Sequence, residues 1–255
     1  LGAGVYGTYV TTPTLVNFTT PSIIQVSIGA THICYRNSQG AVWCKGKNEN
    51  GQLGSGFPED DGTHPVNPQS MGYNTRQVSG GLGITCTIPY DKSTVCMGNN
   101  KFGKLGNNKK ETNWPTKVVG MEFNSSIVST KTDHVCALKE NGTVYCWGRG
   151  REGQLGNGSH QNQSQAVQVD SASVFIDVSV GTDHSCAVKN DGTVWCWGAN
   201  QEGQLGDGKL VNRNRPVRVS GISGVARISL GDRFSCALKN DNTVYCWGLG
   251  TLGTL

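Results

Sequence analysis

Over residues 205–255 the β-branched and aromatic residues gather into four short runs, near Pro216–Val219, Val225–Leu230, Ser235–Lys239 and Thr243–Trp247, separated by Gly, Asn and Asp. Runs of this length and composition, bounded by turn residues, predict four short β-strands. Alternation along the last two sets Cys236, Leu238, Val244 and Cys246 on one face and Ala237, Tyr245 and Trp247 on the other. Both faces are apolar, so this strand pair is expected to lie between two packing neighbours.

The same pattern returns along the whole chain. Phe234 to Gly248 is matched by His184 to Gly198 and His134 to Gly148, and in weaker form by Ile84 to Gly98 and His32 to Gly46. Successive first cysteines, at 34, 86, 136, 186 and 236, set a period near fifty, which marks a repeat architecture. The expected fold is all-β: a single β-propeller over residues 1–255, with five four-stranded blades and repeats at about 1–52, 53–104, 105–154, 155–204 and 205–255. Radial closure protects strand edges that an open stack would leave exposed. The chain enters at the Leu1-Gly2 phase of the repeat and stops at the same phase at Leu255, which is expected of five whole repeats in a small ring.

All ten cysteines fall in pairs ten positions apart. Asn190-Asp191-Gly192 and Asn141-Gly142 are hairpin-turn signals, because Gly and Asn tolerate positive φ. Centring a hairpin on each turn sets the two cysteines of a pair opposite one another. At a non-hydrogen-bonded position their Cα atoms lie about 4.5 Å apart, close enough to bridge. One disulfide per blade is therefore predicted: Cys34–Cys44, Cys86–Cys96, Cys136–Cys146, Cys186–Cys196 and Cys236–Cys246. Each closes a short loop, worth roughly 3 kcal/mol in the chain-entropy model. A spacing of nine intervening residues is not a zinc knuckle, and no metal or cofactor is expected.

Tyr145-Cys146-Trp147-Gly148, followed by Glu152-Gly153-Gln154-Leu155-Gly156-Asn157-Gly158, and the parallel stretch Trp195 to Gly208 resemble the repeat of the regulator of chromosome condensation family. Gly181-Thr182-Asp183-His184 resembles it too. The resemblance covers the whole chain and implies a β-propeller, commonly of seven blades. The founding member is a nuclear exchange factor for the small GTPase Ran that binds chromatin. That activity does not transfer with the fold, and cysteines paired throughout suit an oxidising compartment, not a nucleus. Repeats one and two depart from the pattern with Lys45 and Met97 in place of tryptophan.

Charge and composition narrow the function. Net charge is +4 with 16% charged residues, too little for a chain built chiefly to neutralise nucleic-acid phosphate. No apolar window is long enough for a membrane span. The paired cysteines point to secretion, and Leu1 in place of Met suggests a mature form. Glycosylation sequons begin at Asn17, Asn124, Asn141, Asn157 and Asn162. No catalytic constellation is present, so the chain is expected not to be an enzyme.

His32, His134 and His184 share one repeat position, but Ile84 and Phe234 replace them elsewhere. They are therefore read as packing or turn residues. The loops that follow each Leu-Gly unit differ most, at residues 57–68, 107–115, 159–166 and 209–216. A regular framework with unlike loops is the pattern of a binding scaffold. Trp114 with Lys109 and Lys110, and Arg213 with Arg215, are the candidate contact residues. The expected function is that of a secreted, non-enzymatic recognition protein whose partner is an extracellular protein. The alternatives are a multivalent, glycan-binding lectin and a nucleotide-exchange factor like the founding family member.

Overall fold

The computed structural model describes residues 22–56, 66, 75–108 and 112–250. They form five antiparallel sheets, the blades of a β-propeller. Blade 1 holds β1 (Ile23–Ile28), β2 (His32–Asn37) and β3 (Val42–Gly46). Blade 2 holds β4 (Thr75–Gly80), β5 (Ile84–Pro89), β6 (Val95–Gly98) and β7 (Thr112–Lys117). Blade 3 holds β8 (Ser125–Thr130), β9 (His134–Lys139), β10 (Val144–Gly148) and β11 (Gln163–Gln168). Blade 4 holds β12 (Phe175–Val180), β13 (His184–Lys189), β14 (Val194–Gly198) and β15 (Arg213–Arg218), and blade 5 holds β16 (Val225–Leu230), β17 (Phe234–Lys239) and β18 (Val244–Gly248).

The hairpin register is the predicted one: Cys236 faces Cys246, Ala237 faces Tyr245 and Leu238 faces Val244, with the same pairing in the other blades. All five disulfides are closed, with Cα atoms 4.0–4.1 Å apart. The turn residues Gly40, Lys92, Gly142, Gly192 and Asn242 all take positive φ. An Asx turn supports the hairpin in blades 2 to 5. In each, Oδ1 of Asp91, Asn141, Asp191 or Asp241 accepts from the amide and the hydroxyl of the Ser or Thr two residues on.

Repeat and blade are out of phase by one strand. The first run of each repeat is the outermost strand of the preceding blade: β15 pairs with β14, β11 with β10 and β7 with β6. Val66 bridges to Cys44 at the same place in blade 1. The cysteine face of each blade packs on the next. Cys136, Leu138, Val144 and Cys146 of blade 3 form one buried cluster with Val178, Val180, Ala187 and Trp197 of blade 4.

β1, β4, β8, β12 and β16 are the innermost strands, each touching the next around the axis. Their inner edges carry amides and carbonyls with no neighbouring strand, and such groups require partners. Side chains of the preceding blade supply them. Gln25 accepts from Val78 N at 3.2 Å and donates to Val78 O at 3.0 Å, and Gln77 does the same for Val128. Asp177 Oδ2 accepts from Ile228 N at 3.0 Å. Ser27, Ser79 and Ser129 accept from the amides of Gly80, Thr130 and Val180.

Candidate functional site

Antiparallel order fixes which loops share a face. The connection from the first to the second strand of a blade and the connection from the third to the outermost strand open at one end of the barrel of blades, here the upper face. The hairpin turns and the links between blades open at the lower face. The described loops that differ between repeats, at 159–162 and 209–212, join the third strand to the outermost one and so stand on the upper face, towards the rim.

At the axis the upper face has a cavity of about 470 Å³ lined from all five blades, including Ser27, Ser79, Ser129, Ser179 and Leu230. Four of these are the serine that ends the inner strand pattern, one per blade. Lys131 Nζ reaches across the mouth from blade 3 to donate to Leu230 O of blade 5 at 3.1 Å, and lies 3.7 Å from Asp232. A second cleft, of about 210 Å³, sits among the upper loops of blades 3, 4 and 5 and is lined by Glu152, Asp183, Glu202, Asp232 and Arg233. Arg149 pairs with Asp183 at 3.0 Å, and Arg233 with Glu202 at 3.3 Å. Burial raises the pKa of Asp183; Arg149 opposes the shift, and the Glu152 and Asp133 carboxylates add to it. The four carboxyl groups of the cleft are met by three cations, Arg149, Arg233 and Lys131, which leaves one carboxyl in excess on a chain of positive net charge.

Beneath this face lies a repeated relay. Ser185 Oγ donates its proton to Gln154 O at 2.9 Å, so His134 Nε2, 2.8 Å from Ser185 Oγ, must be the donor to that hydroxyl oxygen. His184, Ser235 and Gln204 repeat the arrangement, as do His32, Thr85 and Gln52. Each Nδ1 is then bare and buried without a partner. Burial drives the pKa of His32 down to about 4 and those of His134 and His184 to about 3, with neighbouring positive charges adding to the shift in the last two. These histidines are neutral structural pins, as the sequence pattern suggested, and not a ring of ligands. Among the described residues no group of three His, Cys, Asp or Glu is placed to hold a metal.

Trp114 lies on β7 and Arg215 on β15, and the register makes them counterparts: each stands two residues before the partner of a blade cysteine. Both lean over an equivalent loop glycine. A Cβ at Gly56 would come within 2.7 Å of Trp114 Cη2, and one at Gly158 within 2.8 Å of an Arg215 Nη. Trp114 is half-exposed. The sequence places Trp114 outside the framework; the structure places it at a regular position on the outer rim, near the upper face. Arg215 is also ion-paired with Asp170, and Arg213 is held by Asp207 through Nε at 3.1 Å and Nη2 at 2.8 Å. Lys109 and Lys110 lie outside the described residues, as does Asn17. Asn124, Asn141 and Asn162 are exposed and Asn157 is partly so. The acidic cleft went unread in the sequence, because Glu152, Asp183, Glu202 and Asp232 come from three blades and four loops.

A family model described as RCC1-like domain matches residues 1–255. No curated protein matches in sequence. Among solved structures, human WBSCR16 superposes with a TM-score of 0.90 at 22% identity, covering 100% of this chain and 70% of that one. Prp20p from Saccharomyces cerevisiae, whose structure is reported with its binding to Gsp1p and histones, gives 0.76 at 20% identity. That match covers 89% of this chain and 58% of Prp20p, so the chain spans less than two thirds of its length. The CRINKLY WD40 ectodomain of the Arabidopsis thaliana receptor kinase ACR4 gives 0.55 at 19% identity, covering 89% and 64%.

Proposed function

The chain belongs to the RCC1-like domain family, and from that premise we propose that it is a non-catalytic recognition module that binds a protein partner on its upper face in an oxidising compartment. One observation carries this reading. The described unlike loops, the axial mouth, the acidic cleft and the rim residue Trp114 all come to one face of an otherwise repetitive frame. The closed state of every cysteine supports the compartment. The acidic cleft favours a partner that brings basic side chains, and Trp114, with Lys109 and Lys110 beside it in the chain, is the proposed apolar anchor. Arg213 and Arg215 already hold carboxylates of their own chain, and they act on a partner through their remaining donors. No helix among the described residues is long and apolar enough to cross a membrane.

The test is capture of a partner from the native extracellular fluid, followed by affinity measurement with variants. Trp114→Ala and Glu202→Lys are each expected to weaken binding about tenfold or more. Ser223→Lys, on the opposite face, is expected to leave it unchanged. Equal binding by all three variants would reject the upper face as the site, and binding on a glycan array without a protein partner would favour a lectin.

A further inference from the structure

Two charged side chains break the repeat at the axial mouth, and they meet there from different blades. Lys131 of blade 3 stands where the other four blades have Gly29, Gly81, Gly181 and Gly231. The frame asks for glycine at this point, because a Cβ added at Gly29, Gly181 or Gly231 would run into the ring of His32, His184 or Phe234. A side chain is admitted only where the ring gives way, so Lys131 is a costly departure. Asp232 of blade 5 is the second departure; its counterparts Ala30, Leu82, Thr132 and Thr182 are uncharged. Lys131 Nζ donates to Leu230 O at 3.1 Å, and Asp232 Oδ1 accepts from Thr182 Oγ1 at 3.0 Å. Each ion is thus held by its own bond, and at 3.7 Å the two stand beyond a direct hydrogen bond. The Asp232 side chain is 79% and that of Lys131 32% exposed, so both keep capacity for a ligand.

We propose that the axial mouth is a binding site for a free α-amino acid with an apolar side chain. Among the described residues Lys131 and Asp232 are the only charged ones lining the cavity, and its other polar groups are hydroxyls and backbone. A lone carboxylate drawn to Lys131 is repelled by Asp232, and a lone amine drawn to Asp232 is repelled by Lys131. A ligand gains from both only if it carries both signs within a few ångström, as the ammonium and carboxylate of an α-amino acid do. Its carboxylate accepts from Lys131 Nζ, and its ammonium donates to the Asp232 carboxylate. Hydroxyls below add to the first contact: Ser27 and Ser129 accept from the amides of Gly80 and Val180, which leaves the proton of each to donate. Leu82, 47% exposed at the same mouth, offers the ligand side chain an apolar contact. Its turn is fixed, with Leu82 N donating to Lys131 O and Lys104 Nζ donating to Leu82 O at 2.8 Å. A cavity of about 470 Å³ with a few convergent polar groups has the size and make-up of a small-molecule site.

The test is a titration of the disulfide-closed chain followed by two-dimensional NMR. The probes are L-leucine and L-phenylalanine, set against N-acetyl-leucine and leucine amide, which each lack one of the two charges. At least one of the free amino acids is expected to saturate the chain and to bind about tenfold or more tighter than either capped form, with amide shifts centred on Leu82, Lys131 and Asp232. Lys131→Met removes the charge and keeps the stem, and Asp232→Thr copies the residue of blades 3 and 4. Each is expected to weaken amino-acid binding about tenfold or more while the thermal midpoint of the free chain is retained. Lys131→Gly, the residue of the other four blades, replaces the Met variant if that one loses stability. No saturation by either amino acid in the millimolar range, equal affinity for a capped form, or unchanged affinity in either charge variant overturns the proposal.

Discussion

A single hydroxyl decides how two blades meet. Ser185→Val leaves the Nε2–H of His134 buried without an acceptor, and is expected to cost about 1–3 kcal/mol in a urea titration. The double change His134→Ile with Ser185→Val copies the Ile84–Val135 pair and is expected to recover most of that loss, which a double-mutant cycle will read directly. The same histidines set a pH dependence. Their folded pKa values of about 3 to 4 lie below the ordinary 6.5 of an unfolded chain, so the unfolded state binds more protons in that window. Their contribution to stability is full above pH 6.5 and is lost progressively as pH falls towards 4 and then 3, and the thermal midpoint is expected to fall with it. His134→Ile with Ser185→Val should flatten the profile. The repeat position of these histidines was legible in the sequence, but their partners were not, because each hydrogen bond crosses to a residue about fifty positions away. The signal was present all the same, in the joint replacement of His by Ile84 and of Ser by Val135.

At the level of elements, the hairpin was readable from the turn residues and the alternation, and with it every disulfide. The edge that each outermost strand joins was not readable. Pro216–Val219 reads as the opening strand of its own repeat, yet hydrogen bonding to Trp195 and Cys196 attaches it to the blade before. Local pattern gives a strand and its faces, but pairing across a long loop depends on where the chain returns. The disulfides differ in their surroundings. Cys186 and Cys196 are fully buried, whereas Cys246 of blade 5 is exposed. Limited dithiothreitol treatment followed by alkylation is expected to open Cys236–Cys246 before Cys186–Cys196, since thiolate attack requires access. Replacing Cys186 and Cys196 together with alanine is expected to lower stability by roughly 3 kcal/mol, measured against the intact chain in guanidinium.

For the whole molecule, repetition supplies the frame and its failures supply the surface. The loop face was predictable from the unlike loops, but the acidic cleft that gives it a sign was assembled only when blades 3, 4 and 5 came together. Intact mass under non-reducing conditions is expected to be ten hydrogens below that of the reduced chain, as five closed bridges require. The offset between repeat and blade has a last consequence. The unit of copying and the unit of folding are not the same segment, and each copied segment stitches two folded ones together. Duplicating or deleting one segment at the Leu-Gly phase changes the number of blades while every sheet keeps its complement of strands. A break between two copies, by contrast, unzips an edge instead of releasing a finished blade. Limited proteolysis in the 209–212 loop should therefore loosen β15 from β14 and leave no blade free.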